Sequence, residues 1–282
     1  MPSIDYSKKK ILVADLDGTL TVSKTPMDAE MQEIMLELLQ YMPIAVISGG
    51  KYEIFQRNFV KSLSERYPER LARLYLFPTC GAAFYVYKDG AWTPIYQETL
   101  TQDEKDRIKR AFEISLKKSG YVRPEKTFGE IIEDRGTQIT FSALGQQAPI
   151  ELKSKWDPDM SKRMDIRGHM LEIIPDLEVR VGGTTSIDVT RKGIDKAYGI
   201  QKIMDVLEFG MKNILFIGDA LREGGNDWPV KKMGVDCIQV DGPDDAKRVL
   251  REIIAIKKPP SLNQYEQDRY SGDMPEPGES PV

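Results

Sequence analysis

Histidine is the scarcest residue in the chain: His169 is the only one among 282. A Ser-His-Asp triad could use that one alone, and metal sites that need several imidazoles are excluded. Cysteine is nearly as rare. Cys80 and Cys237 stand 157 positions apart, which rules out a disulfide framework and a zinc-type cluster. Neither has an arginine six residues later, so the thiolate phosphatase loop is missing. No stretch approaches the ~20 apolar residues that span a bilayer. Lys8-Lys9-Lys10 and the short run Ile11–Ala14 do not make a signal-peptide core. With reduced cysteines, this leads to the expectation of a cytoplasmic protein with no membrane partner. An excess of one charge is lacking too: 40 basic against 44 acidic side chains leave a formal charge of −4. That balance offers no basic stripe for nucleic acid. Carboxylates, Lys, Ser/Thr and a hard metal are what remain for chemistry.

What is present suits one or two soluble domains, with 40% hydrophobic and 30% charged residues. Three short apolar runs share a pattern. Ile11-Leu-Val-Ala leads into Asp15, Ile44-Ala-Val-Ile into Ser48, and Ile214-Leu-Phe-Ile-Gly into Asp219. Each is β-branched, non-alternating and too short for a helix, as expected of a parallel strand covered on both faces. Loops at the carboxyl ends of such strands form the ligand crevice of open α/β sheets. Asp15, Ser48 and Asp219 therefore have a reason to meet. Thr25-Pro26 reads as a helix start, followed by an apolar face of Met27, Met31, Ile34, Met35 and Leu38. Val235–Val240 reads as a strand and Asp244–Ile256 as a terminal helix.

The middle of the chain differs. Thr101-Gln-Asp-Glu104 is a capping box for a helix that Gly120 closes. Around it lie the runs Gln138–Ser142, Met170–Ile174, Leu177–Val181 and Ser186–Val189, read as pieces of a small antiparallel sheet. The expected architecture is α/β. A Rossmann-like parallel-sheet core is formed by residues 1–89 and 193–256, and an α+β module, residues 90–192, is inserted in it. The last 26 residues, from Lys257, hold five prolines and few apolar side chains, a composition that predicts a disordered tail.

The sharpest signal is Asp15-Leu-Asp17-Gly18-Thr19-Leu20-Thr21 directly after a strand. Ser48-Gly49-Gly50, Gly193-Ile-Asp195-Lys196 and Gly218-Asp219 with Gly224-Gly225-Asn226-Asp227 follow in that order. Together these four motifs resemble the haloacid dehalogenase superfamily, across everything but the tail. The resemblance implies that Asp15 is a nucleophile forming an aspartyl phosphate and that Asp17 is the general acid and base. It also implies that Ser48 hydrogen-bonds a phosphoryl oxygen and that Lys196, rather than nearby Lys192, neutralises charge. The implied cofactor is Mg²⁺, held by Asp15, the backbone carbonyl of Asp17 and Asp219, with Asp227 and Asn226 orienting a water on it. The electrostatics demand such a set. A carboxylate approaching a phosphate dianion meets about 4 kcal/mol of repulsion per charge pair at 4 Å and an effective dielectric of 20.

The insert's place between the second and third motifs matches the C2-type cap of subfamily IIB. It looks most like that of the eukaryotic-type phosphomannomutases, through Phe128-Gly129-Glu130, Arg135-Gly136, Gly182-Gly183 and Ser186-Ile-Asp188-Val189. By that resemblance Arg135 grips a distal phosphate, and Ser186 and Asp188 bind sugar hydroxyls. Gly49 and Lys24 would also face substrate, and caps of this kind often pair into homodimers. There are departures. Gln146 stands where a second phosphate-binding arginine is usual, Lys24 and Lys153 replace others, and Cys80 replaces an asparagine. A mutase must hold a bisphosphate in two orientations, so the weakened arginine set tips the sequence reading toward a sugar-phosphate phosphatase. A phosphomannomutase is the alternative, and a non-catalytic sugar-phosphate binder a second one. The expected partner is a small phosphorylated sugar.

Overall fold

Apolar residues on both sides of a strand require cover on both faces, and the central sheet has it. The computed structural model describes residues 4–22, 25–64 and 66–259. Its larger sheet contains β1 (Ile11–Asp15), β2 (Ile44–Ile47), β3 (Leu74–Phe77), β4 (Ala83–Lys88), β5 (Ala91–Gln97), β10 (Ile214–Gly218) and β11 (Asp236–Gln239). The spatial order is β11-β10-β1-β2-β3-β4-β5. The first five of that order are parallel, and β4 and β5 add antiparallel strands at one edge. Successive residues alternate between two apolar layers. Leu12, Ala14, Ile44, Val46, Leu215 and Ile217 pack in the layer of α1 (Ala29–Tyr41) and α9 (Pro243–Lys257). Ile11, Val13, Ala45, Ile47 and Phe216 pack in that of α7 (Lys196–Leu207).

The register places the chemistry on one edge of this sheet. Asp15 pairs with Ile47, one residue before Ser48, and Ala14 pairs with Ile217, two before Asp219. Three short helices complete the core: α2 (Tyr52–Phe55), α3 (Lys61–Ser64) and α8 (Trp228–Lys232). Helix α1 begins later than Thr25-Pro26 suggests. Its N-cap is Asp28, whose carboxylate accepts from Met31 N at 2.8 Å, while the Thr25 hydroxyl donates to Val22 O. A carboxylate in capping position outcompetes a threonine already committed to its own turn.

The second sheet, in order β6-β7-β9-β8, is antiparallel. It contains β6 (Ile132–Asp134), β7 (Ile139–Ser142), β8 (Leu177–Gly182) and β9 (Ser186–Arg191). Ile139, Phe141, Val179, Ile187 and Val189 form its apolar face. That face packs on Ile108, Ala111 and Phe112 of α4 (Gln102–Lys118) and on Ile166 and Met170 of α6 (Ser161–Ile173). A one-turn-plus helix, α5 (Ile150–Trp156), precedes α6. The capping box at Thr101 is formed, with both reciprocal bonds.

Three sequence expectations change here. Met170–Ile174 is not a strand but the end of α6 and the residue after it. Met170 lies one helical turn after Ile166, and the helix is nucleated upstream by Asp157, which accepts from the backbone of Lys162 and Arg163. Strand β5 lies within residues 90–192 yet pairs with β4 in the larger sheet, so the second sheet and its helices follow Gln97. Lys257 belongs to α9, where its ammonium donates to Ser7 O at 2.8 Å. The expectation of disorder over residues 260–282 lies outside the described residues. No helix among the described residues is long and apolar enough to cross a membrane.

Phe141 is fully buried, with its ring 5.8 Å from Phe112 and 5.2 Å from Tyr121. Phe141→Ala should cost about 3–5 kcal/mol. Urea unfolding checks this, and a loss under about 1 kcal/mol would show that the site collapses around the cavity.

Candidate active site

Strand β1 delivers Asp15 at its last position, and the chain then turns at Gly18, whose φ is +94°. The close approach there needs a glycine: a Cβ would lie 2.6 Å from Asp219 Oδ2. Asp15 is buried. Its Oδ1 accepts from Lys196 Nζ at 2.5 Å and its Oδ2 from Thr19 Oγ1 at 3.2 Å. Lys196 is the first residue of α7, N-capped by Asp195, and its fully buried ammonium also donates to Asp227 Oδ1. The other Asp227 oxygen accepts from Ala220 N at 3.0 Å.

Carboxylate oxygens of Asp15, Asp219 and Asp227 all lie within 4.8 Å of one another. Burial pushes the Asp15 carboxyl up to about 7; Lys196 opposes that rise, and Asp227 and Asp219 add to it. Asp219 is raised as well, by burial and by the charge of Asp227. Lys196 is raised too, which for an amine favours the charged form. Burial alone would favour its neutral amine, but Asp15 and Asp227 outweigh that and hold the proton on. An all-carboxylate cluster with this surplus of negative charge suits a hard cation.

Asp17 points elsewhere. Its Oδ2 accepts from Ser48 Oγ at 3.2 Å, and Ser48 Oγ in turn accepts from Gly50 N at 3.1 Å. Asn226 is exposed on its loop, and Lys24 lies outside the described residues.

The second sheet presents the remaining residues. Arg135 donates through Nη1 to Gly49 O at 3.0 Å and through Nε to Glu133 at 2.8 Å. Ser186 and Asp188 share one face of β9, opposite Ser142 and Thr140 of β7, and Thr140 Oγ1 donates to Asp188 at 2.7 Å. Gln146 is tied to Lys153, which is buried and donates to the Gln146 carbonyl at 2.7 Å. Burial pushes the Cys80 thiol up to about 11; the charges of Lys196 and Arg180 oppose that rise, and those of Asp188 and Asp15 add to it.

Several residues here escaped sequence reasoning. Gln239 steadies the Asp219 loop, donating to Asp219 O and accepting from Leu221 N at 3.0 Å. Thr19 could have been suspected from its place in the first motif; nothing local marks Gln239. Thr79 and Cys80 both take left-handed backbone, at φ 48° and 57°, in a turn donating to Gly50 O and Ser48 O. Only the replacement of an asparagine at Cys80 hinted at it.

Because the Gly18 position is both left-handed and crowded, Gly18→Ala should displace Asp219 and weaken Mg²⁺ binding about tenfold or more. Isothermal titration with Mg²⁺ measures this, with unfolding midpoints as the control. An unchanged affinity would place the cation away from Asp219.

Comparison with known proteins places the chain in a family. A family model described as eukaryotic phosphomannomutase matches residues 31–256. Phosphomannomutase of Spinacia oleracea is 28% identical over 259 residues, covering 88% of this chain and 97% of that one. Among solved structures, an N-terminally truncated IMP-nucleotidase of Plasmodium falciparum superposes with TM-score 0.67 at 16% identity, over 89% of this chain and 72% of that one. A haloacid dehalogenase-like hydrolase of Bacteroides thetaiotaomicron gives 0.57 at 14% identity, over 87% and 99%. These two share the fold. With a family model matching residues 31–256, well over half of its length, the chain belongs to the eukaryotic phosphomannomutase family.

Proposed function

We propose that the protein is a Mg²⁺-dependent phosphotransferase acting on small sugar phosphates through an aspartyl phosphate at Asp15, and that its main reaction is the mutase one. The family match over residues 31–256 carries this reading, and it favours isomerisation over the hydrolysis that the substituted arginines suggest. The carboxylates of Asp15, Asp219 and Asp227 would hold the cation. When bound, Mg²⁺ supplies the positive charge that offsets repulsion between an anionic nucleophile and a phosphate dianion.

The chain's own residues do the rest. Asp15 Oδ attacks phosphorus, and the bond from phosphorus to the sugar oxygen breaks. Asp17, held apart from the acidic cluster by Ser48, gives its proton to the departing oxygen. In the return step Asp17 takes the proton of the attacking hydroxyl, and the phosphoryl group moves from Asp15 to that oxygen. Lys196 offsets charge on Asp15 throughout, because two carboxylates keep it protonated. The module around the second sheet acts as a substrate cap: Arg135 engages the distal phosphate, while Ser186 and Asp188 bind sugar hydroxyls on the face they share. Isomerisation needs the sugar bisphosphate to be retained and water kept out.

One observation favours hydrolysis as a second reading. Gln146 has no charge to add to Arg135, so distal phosphate binding lacks the bidentate grip of a second arginine. The two reactions separate cleanly. Incubation with mannose 1-phosphate, Mg²⁺ and a trace of hexose bisphosphate should yield mannose 6-phosphate with little free phosphate. Stoichiometric phosphate release would overturn the mutase assignment. Asp15→Asn should lower turnover by at least about 10⁴-fold, and residual activity above that would remove the nucleophile. Asp17→Asn should cut kcat by about 10²–10⁴-fold while leaving Mg²⁺ affinity within a few-fold, since its side chain stands outside the acidic cluster.

A further inference from the structure

The hairpin of β6 and β7 meets the core through three polar contacts that the proposed chemistry does not use. Lys51 Nζ lies 2.7 Å from Glu133 Oε1. Arg135 Nη1 donates to Gly49 O at 3.0 Å, and the hydroxyls of Thr79 and Thr137 are 2.6 Å apart. On the core side these partners form one unit. The loop after β2 and the turn after β3 are joined by Thr79 N to Gly50 O and Cys80 N to Ser48 O, both 2.9 Å. On the hairpin side Glu133 is the branch point: Oε1 faces Lys51, and Oε2 accepts from Arg135 Nε at 2.8 Å.

Glu133 and Arg135 are 16% and 10% exposed, so solvent screens the pair poorly. Burial pushes the Glu133 carboxyl up, but Lys51 and Arg135 outweigh it and hold it below the usual range. A cavity of about 120 Å³ lies in the joint, lined by Lys51, Tyr52, Thr79, Tyr85, Arg135 and Thr137 among others. Apolar packing therefore does not fill this seam, and the polar contacts set its fit.

We propose that Glu133 is a positioning residue that couples seating of the second sheet on the core to the aim of Arg135, with Lys51 as its anchor. The proposal rests on the functional reading above in one respect, that Arg135 meets a substrate phosphate. With Nε fixed by Glu133 and Nη1 by Gly49 O, Nη2 is the edge of the guanidinium that has no hydrogen-bond partner among the described residues. Release of Lys51 frees Glu133 from the core, lets Arg135 turn away with the hairpin and admits water to the phosphoryl group. Seating thus bears on the partition between isomerisation and hydrolysis.

The test uses the full chain with Lys51→Met, Lys51→Arg, Glu133→Gln and the Lys51→Met/Glu133→Gln pair. KM, kcat and phosphate released per isomerisation are measured with mannose 1-phosphate, thermal unfolding is the folding control, and small-angle X-ray scattering reads the seating. Lys51→Met and Glu133→Gln should each raise KM about tenfold, leave kcat within about twofold and increase phosphate release. Lys51→Arg should restore wild-type behaviour, and the double variant should be no worse than Glu133→Gln alone. Additive effects, or an unchanged KM and partition, would overturn the coupling. If the wild-type protein turns over no sugar phosphate, the functional reading fails separately. Scattering then decides: expansion in Lys51→Met supports the seating role, and superimposable curves overturn it.

Discussion

A buried ammonium shared between two carboxylates sets the terms for the whole site. Lys196 is fully buried, where desolvation disfavours its charge, and Asp15 and Asp227 do most to keep it protonated. Asp219 brings a third carboxylate within 4.8 Å, so three acids against one ammonium leave a formal charge of −2. Such a pocket resists collapse and calls for further positive charge. Removing Lys196 would leave carboxylates confronting one another without water, far worse than losing a surface ion pair. The backbone is built around this demand. Gly18 lets the first motif pass under Asp219, and Gly218, where a Cβ would fall 2.3 Å from Asp227 Oδ2, makes room for the other acid.

Holding four charged groups that are far apart in sequence needs a rigid frame. Parallel pairing of β1 with both β2 and β10 fixes the relative heights of Asp15, Ser48 and Asp219 to within a residue. Helix α7 is pressed against the Thr79–Gly81 turn, where a Cβ on Gly81 would lie 2.5 Å from Gly199 Cα. This backbone-to-backbone contact seats the amino end of α7, and with it Lys196. The second sheet is a different kind of object. It has its own apolar core and reaches the first through hydroxyls, an arginine and an ion pair, contacts that can be broken and remade.

Much of this was legible beforehand, for identifiable reasons. The strands ending at Asp15, Ser48 and Asp219 announced themselves because a doubly covered strand must be apolar throughout. The Thr101 capping box was readable because it is local and complete. Met170–Ile174 misled because five residues, four of them apolar, are too few to show a period of their own. Its helical state was decided by Asp157, thirteen residues upstream, and by Ile166 one turn back. Thr25-Pro26 was a plausible cap displaced by a better one at Asp28. Within the site, Asp15, Asp17, Ser48, Lys196, Asp219 and Asp227 could be nominated from motif order. Gln239 and the Lys51–Glu133 pair could not, since their partners are far away and neither end has a local signature. Arg135 was visible, but its clasp on Gly49 O was not.

Strand β5 carries one more consequence. It is the last strand on its side, largely exposed, and an open edge of that kind is a template for another chain's backbone. Pro94 removes a donor from the middle of it, and the β4–β5 ladder slips register at Phe84/Tyr85. A row of hydrogen-bonding groups so interrupted is a poor mould for strand-by-strand growth. The interruption itself thus guards this exposed edge against fibril growth.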